Sequence, residues 1–387
     1  MAKMRFDFVP FFNPGENLPW TRIMEMIREQ TILAEQADFT TVWMTEHHFA
    51  HNGYLNASPN PVLVCADLAA RTSKIRLGQA PIVLPDWHPL RVAEDVAMLD
   101  NLSGGRVDFG VGRGTNERAC LQFNMKPEAD KRNDKESYAL FRECLDIILK
   151  AWTEDPFTYD GEFYKLPMPG WFETNRMFEP WDERYHKADG EYKAMYIHPR
   201  VVQAPHPPVW MMSNAPFTYE FAGKEGHNLI GMSGAKANIN ACWNAYKKGA
   251  EEAGRNVKLG NHCGMCTVVY VADSFEQGAK DLRESVNLYY EFLAGARPSG
   301  EWMKQAYLPK GDELTATEKD ADWFDFLTGR NIIWVGTADY VAEQLEEWQT
   351  DCNVNHLMLL QQFPNFPFEK IMASMDKFAK DVMPRFQ

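Results

Sequence analysis

Apolar positions along the chain switch repeatedly between a strand-like spacing and a helical one. Arg5–Phe12 is rich in β-branched and aromatic residues. It is followed by Pro19–Ala37, where Ile23, Ile27, Leu33, Ala34 and Ala37 recur at helical spacing. The same pairing returns down the sequence. Strands are predicted over Thr40–Met44, Ile75–Leu84, Arg106–Val111, Val209–Met212, Leu229–Met232, Cys263–Val271 and His356–Leu360. Helices are predicted over Pro59–Arg71, Pro89–Leu102, Asp134–Trp152, Pro216–Lys224, Ala235–Ala253, Ser274–Leu293, Thr337–Thr350 and Pro367–Val382. Ser58 is the expected N-cap of the second helix, with Pro59 in its first turn. About eight strands, each followed by a helix, is the count of a (β/α)₈ TIM barrel and not of an open sheet. Runs such as PIVL and LMLL suit parallel strands covered on both faces.

Two stretches interrupt the rhythm. Residues 155–208 are dense in Pro, Trp and Tyr and contain FTYDGEFYKL, which reads as a hairpin turning at Asp160-Gly161. Residues 294–330 are polar and mixed. Both are expected to follow strands, on the C-terminal face where barrels carry their active-site loops. The first would be a lid or substrate wall and the second an active-site loop, with a surface excursion or dimer contact as the alternative. The whole chain of 387 residues then reads as a single barrel domain.

A formal charge of −14 argues against binding to nucleic acid or to anionic membrane. No stretch approaches the ~20 apolar residues of a bilayer span. The first residues carry no export signal, so a cytoplasmic protein with reduced thiols is expected. Cys263-Gly-Met-Cys266 stands without a second pair at zinc spacing and reads as two buried thiols.

Four constellations could carry chemistry. Glu46-His47-His48 stands where a strand gives way to a loop, and an imidazole there can pass a proton near neutral pH. Adjacent strand residues point to opposite faces, so only one of the two histidines can face the barrel mouth. The competing reading is a structural pair bonded to loop carbonyls. A metal site would need His47, His51 and Glu46 plus a further ligand that no HxH or HExxH motif supplies, and no metal is expected. The second constellation is Gly110-Val-Gly-Arg-Gly114, where glycines permit close backbone approach and Arg113 offers a planar fork for phosphate; Arg132 could add a second cation. The third is Met212-Ser-Asn-Ala-Pro-Phe-Thr218. There Ser213, Asn214, Ala215 and Thr218 surround a helix N-terminus, either as a phosphate seat or as ordinary capping. The fourth is Gln79-Ala80-Pro81-Ile82, a proline inside a buried strand, followed by a loop presenting Trp87 and His88.

Taken together, TVWMTEHHF (41–49), APIVLPDWHPLRVAEDVAMLDNLSGGRVDFGVGRG (80–114), the turn at 210–226 and HLMLLQQFPNFPFEKIMASMDKFAKDVMP (356–384) resemble the bacterial luciferase-like flavin-dependent monooxygenase family. The resemblance covers most of the chain outside the two interruptions. It implies a (β/α)₈ barrel, reduced FMN (FMNH₂) and O₂ as cosubstrates meeting in a flavin peroxide, an NAD(P)H:flavin reductase as partner in a two-component system, and a homo-oligomer. It assigns acid/base work to His47, with His48 and Glu46 as orienting neighbours, and phosphate binding to Arg113, Arg132 and the turn Ser213–Thr218. It places Ala80 beside the flavin and makes Ala80–Pro81 a cis bond. Trp87 and His88 would wall the flavin or a small apolar or aromatic substrate. The chain departs from luciferase at Asn214 and Ala215, where that enzyme has glutamate and serine. It departs again at Gly112, where luciferase has a reactive cysteine. Light emission is therefore not implied. The competing readings are a deazaflavin (F420)-dependent oxidoreductase on the same barrel, a non-catalytic flavin-binding protein and, more distantly, a metal-dependent barrel hydrolase.

Overall fold

The computed structural model describes residues 3–10, 18–49, 58–114, 117–123, 126, 129, 132–295, 300–361 and 363–387. Eight parallel strands close into a barrel. In chain order they are β1 (Arg5–Val9), β2 (Thr41–Met44), β3 (Arg76–Gln79), β4 (Val107–Gly112), β5 (Val209–Met212), β6 (Asn228–Met232), β7 (Cys263–Val271) and β8 (His356–Leu360). β1 pairs with both β2 and β8, which closes the ring. The main surrounding helices are α1 (Trp20–Gln36), α2 (Pro61–Ala69), α3 (Pro89–Ser103), α4 (Asp134–Thr153), α5 (Pro216–Glu225), α6 (Lys236–Glu252), α7 (Phe275–Gly295), α8 (Ala338–Cys352) and α9 (Phe368–Lys377). The barrel expected from the periodicity is therefore the barrel observed.

The interior is filled by charge as well as by hydrocarbon. Asp7 of β1 accepts from Arg5 Nε at 3.0 Å, from Trp43 Nε1 of β2 at 2.8 Å and from His356 Nε2 of β8 at 2.7 Å. Arg5 also reaches Asp108 of β4 at 2.7 Å and Thr41 of β2 at 2.6 Å, and Arg76 of β3 meets Asp108 at 2.9 Å. The Arg5 guanidinium lies 4.6 Å from the ring centre of Trp210 on β5. Six of the eight strands thus meet in one network at the strand-start end of the barrel. Burial is the largest single influence and would raise the Asp7 carboxyl; Arg5 and His356 together outweigh it and hold the group at about 2. Burial keeps His356 below its usual range, so it donates from a neutral ring.

Glycines make room for this filling. Gly78 is the register partner of Trp43, and a Cβ there would lie 2.3 Å from the indole. A Cβ on Gly110 would lie 1.6 Å from the Gln79 carbonyl oxygen. Neither contact is sterically possible, so both positions require glycine.

Several local expectations are revised. The predicted strand 75–84 is broken at Ala80–Pro81, which is cis as expected; β3 ends at Gln79, and Ile82–Val83 pairs separately with β4. Asn60, not Ser58, caps α2, accepting the Leu63 N–H; Ser58 Oγ instead accepts from the Asn60 N–H. Phe12, the expected end of the first strand, lies outside the described residues. The hairpin pairs Tyr159 with Leu166 and Asp160 with Lys165, so its loop is longer than a two-residue turn. The cause is Glu143 of α4, whose carboxylate collects the N–H groups of Glu162, Phe163 and Tyr164. Cys263 and Cys266 are buried free thiols on β7, as expected.

The two interruptions follow helices and not strands. Residues 155–208 leave the end of α4 and return into β5. Their last part is fixed at the strand-start face: Gln203 bonds Arg76 and the Val107 carbonyl, and Asp100 near the end of α3 accepts from the Val202 and Gln203 N–H groups. The hairpin reaches the other way, bringing the Tyr164 ring within 5.3 Å of His88. The later segment approaches the end of β6, with Asn238 donating to the Leu308 carbonyl and Ser233 to that of Ile332.

Replacing Asp7 by Asn should cost about 2–3 kcal/mol, because the buried Trp43 and His356 donors and the partly exposed Arg5 lose their charged acceptor. Urea unfolding measures this, and a cost below ~1 kcal/mol would show that the network is not holding the barrel. The Asp7 carboxyl is lower in the folded chain than its unfolded value of about 3.9. Its contribution is therefore complete above pH ~4 and is lost as pH falls through about 2.

Candidate active site at the barrel mouth

The strand end after β2 is organised by one carboxylate. Glu46 is buried, and its oxygens accept from the Val83 N–H at 3.0 Å, from Trp87 Nε1 at 2.9 Å and from His48 Nε2 at 2.9 Å. It therefore ties the end of β2 to the loop that follows β3. His48 is held in turn against Phe123, with ring centres 4.6 Å apart, and Phe123 stacks on Phe49 at 5.2 Å.

His47 differs in every respect. Trp43 points to the barrel axis, where its Nε1 donates to Asp7, and β2 ends one residue later at Met44. Beyond it, Glu46 and His48 bond each other. The His47 backbone N–H donates to the Ser58 carbonyl, while its half-buried imidazole has no hydrogen-bond partner among the described residues. Burial, with His48 adding to it, pushes the ring down to about 4. His47 is thus a neutral imidazole near pH 7, able to accept a hydrogen bond or a proton.

The inward positions one layer above the charge network are apolar. By register and alternation they include Ala80, Met212 and Met232, all half-buried at the mouth. This floor suits a flat, largely apolar ring system.

The glycine-rich turn serves mainly the chain itself. A Cβ on Gly112 would lie 2.5 Å from the Pro81 ring, and one on Gly114 would lie 2.6 Å from Val83 Cγ1 and 2.9 Å from Cys120 Sγ. The close approach read from the sequence is therefore that of the Pro81–Val83 segment. This contact also sets Arg113 next to the Glu46 hub, because Val83 is bonded to both regions.

Arg113 lies across Tyr138 of α4, its guanidinium carbon 4.0 Å from the ring centre, and Nη1 pairs with Asp134 at 2.6 Å. The Tyr138 ring packs edge-on against Phe217 in the first turn of α5 at 5.8 Å. Arg113 thus lies on the first turns of α4, which in turn pack against the start of α5. Neither helix has a side-chain cap: Asn133 before α4 makes no capping bond, and Ala215 before α5 has none to offer. Ser213 Oγ accepts from the Ala215 N–H and Asn214 Oδ1 from the Met232 N–H, so both shape the turn without capping the helix. Thr218 is buried in the first turn of α5. A guanidinium with two uncapped helix starts is a donor set that fits a phosphate ester. Arg132 sits exposed just ahead of α4.

Trp87 and His88 both hold structural bonds. Trp87 donates to Glu46, and His88 Nδ1 caps α3 by accepting the Leu90 N–H at 3.3 Å. Burial, with Lys126 adding to it, lowers the His88 ring. His51, weighed above as a metal ligand, lies outside the described residues. Tyr138, Phe123 and Asp134 were not anticipated. The only sequence signal for the α4 pair is that Asp134 and Tyr138 are four residues apart and so share a helix face.

A cleft of about 960 Å³ lies within the 155–208 segment, between Trp171, Trp181, Tyr192 and Arg200. Arg200 itself is bonded to carbonyls at the end of α4, which ties that cleft to the flank of the barrel.

The chain is thus a parallel barrel enzyme fold with an ionisable strand end and a cationic corner beside it. The match of residues 4–352 to the luciferase-like monooxygenase family shows that the chain belongs to that family. Among curated relatives, it is 24% identical over 394 residues to the oxygenase component of a flavin-dependent trigonelline monooxygenase of Acinetobacter baylyi, covering 99% of this chain and 96% of that one. It is 26% identical over 369 residues to an alkanal monooxygenase alpha chain of a Kryptophanaron alfredi symbiont, covering 91% and 89%. Among solved structures, the monooxygenase RslO1 of Streptomyces bottropensis superposes with a TM-score of 0.77 at 22% identity, covering 99% and 100%. The FMN complex of the oxygenating constituent of 3,6-diketocamphane monooxygenase from Pseudomonas putida gives 0.74 at 19%, covering 99% of each chain. The F420-dependent tetrahydromethanopterin reductase of Methanopyrus kandleri gives 0.63 at 18%, covering 100% of each. At these identities the structural likenesses show the fold alone.

Because the fold favours the neutral His47 ring, acid should protonate the unfolded chain first. The resulting loss of stability develops as pH falls from about 6.5 towards about 4. In an NMR titration, the His47 imidazole should remain neutral to about pH 4. A midpoint near the ordinary histidine value would show that the ring is not desolvated.

Proposed function

We propose that the protein is the oxygenase component of a two-component, FMNH₂-dependent monooxygenase acting on a small apolar or aromatic molecule. The observation that carries this reading is the adjacency of the Arg113 corner to the Glu46-organised strand end, joined through Val83. Arg113, helped by Arg132 and the uncapped starts of α4 and α5, would hold the flavin phosphate, with Ser213, Asn214, Ala215 and Thr218 shaping that seat. Ala80, Met212 and Met232 would support the ring system. Bound reduced flavin supplies the electrons that activate dioxygen. The residues around it then have to position the substrate, exclude water and manage one proton.

His47 is the residue for the proton. Its ring is neutral and half-buried at the end of β2, whereas His48 is committed to Glu46 and Phe123. Glu46 and His48 orient the strand end without moving a proton themselves. The apolar floor and the ring face of Trp87 support an apolar substrate class. His88, Tyr164 and the segment ending at Leu308 would form the outer wall. The oxygenase reading also implies a separate NAD(P)H:flavin reductase, and the similarity to a relative described as an oxygenase component supports it. A homo-oligomer remains part of the proposal through the family.

The test is a His47→Ala variant assayed with a flavin reductase and O₂. Oxygenation should fall by about 10²-fold or more, with continued O₂ consumption appearing as uncoupled hydrogen peroxide. Full coupled oxygenation by the variant would remove the role. A deazaflavin-dependent oxidoreductase is the second reading, favoured by the barrel likeness to the F420-dependent reductase. Substrate-dependent O₂ uptake with reduced FMN separates the two, because deazaflavin hydride transfer consumes no oxygen. Tight flavin retention without any turnover would instead indicate a non-catalytic binder.

A further inference from the structure

We propose that Asp134 sets the affinity of the phosphate corner by occupying, in the ligand-free protein, the edge of Arg113 that a phosphate would take. The proposal rests on the reading of Arg113 as the phosphate residue and goes beyond it. The Arg113 guanidinium has one face against Tyr138 at 4.0 Å and meets the Asp134 carboxylate at 2.6 Å. A carboxylate and a phosphate address the same forked edge of a guanidinium, so the two compete for one position. The partners are unequally fixed. The Arg113 side chain is 20% exposed and lies on a ring, whereas that of Asp134 is 79% exposed. Asp134 is the partner free to swing away, and an ion pair with so exposed a member is weak enough to be displaced.

The helix makes the substitution electrostatically consistent. Asp134 opens α4, a helix of 20 residues whose N-cap Asn133 makes no capping bond. The carboxylate therefore serves two cationic features at once, the guanidinium and the helix start, and both are features that favour an anion. A monoanion offers no gain over the resident carboxylate. A phosphate monoester, with a charge of about −1.5 to −2 and three acceptor oxygens, does. Asp134 thus makes the corner selective for the phosphorylated flavin while keeping its hold weak enough for release. That property suits a cofactor delivered by another protein.

The experiment measures dissociation constants of oxidised FMN and of riboflavin, by flavin fluorescence, for the full-length wild type, Asp134→Asn and Arg113→Ala. Asp134→Asn should tighten FMN roughly tenfold, with riboflavin changing by less than about twofold, because removing one charge beside the phosphate acts only on the phosphorylated ligand. The gain should shrink at about 0.5 M salt, where exposed charges are screened. Unchanged or weaker FMN binding by Asp134→Asn would overturn the proposal and make Asp134 a support for Arg113. Arg113→Ala should abolish the preference for FMN over riboflavin. If that preference survives in Arg113→Ala, the phosphate reading itself fails, and the proposal with it.

Discussion

Everything at the mouth stands on the charge network inside the barrel. Asp7 and Asp108 are carboxylates taken out of water beside the partly exposed guanidinium groups of Arg5 and Arg76, and such a cluster holds only if the buried members keep their partners. Because those partners come from β1, β2, β3, β4 and β8, with Trp210 of β5 covering Arg5, the network acts as a registration device. A slip of one residue in any of these strands would bury a charge against hydrocarbon. The site residues follow β2, β4 and β5 directly, so their relative heights are inherited from this layer.

The strand and helix order was legible because parallel buried strands and amphipathic helices leave opposite periodicities in the chain. What was not legible were the features made by distant partners. The Glu143 carboxylate lengthens the hairpin loop by gathering three N–H groups, and nothing local to FTYDGEFYKL reports it. Asn60 displaced Ser58 as the cap of α2 because a helix can begin two residues later without changing its apolar face. The roots of the two interruptions were misjudged for a related reason. Their composition resembles active-site loops, while which face they start from depends on whether a strand or a helix precedes them.

At the site, the sequence pointed to the Glu46-His47-His48 strand end as a cluster, and the geometry adds which of its members bond each other. Glu46 draws His48 aside, which leaves His47 the imidazole without a hydrogen-bond partner among the described residues. The glycines of the 110–114 turn were legible as close-approach positions but not as to what approaches. Pro81 and Val83 press on them, and that packing is how the Glu46 hub and the Arg113 corner become neighbours. Tyr138 went unnoticed because a tyrosine on an amphipathic helix reads as packing, and it is packing that orients the guanidinium.

The way the 155–208 segment is anchored bears on how such a protein can diverge. The segment is fastened at the strand-start face through Gln203 and Asp100, and it touches the mouth through Tyr164 at its hairpin tip. The stretch between the hairpin and Arg200, including the aromatic cleft, is accordingly a module on the barrel flank. It can be lengthened, shortened or exchanged with the Arg113 corner left in place. Chains that share this barrel can therefore diversify their outer surface and the chemistry of their mouth as separate matters, and a chimera cut at those two anchors is the natural unit for recombination.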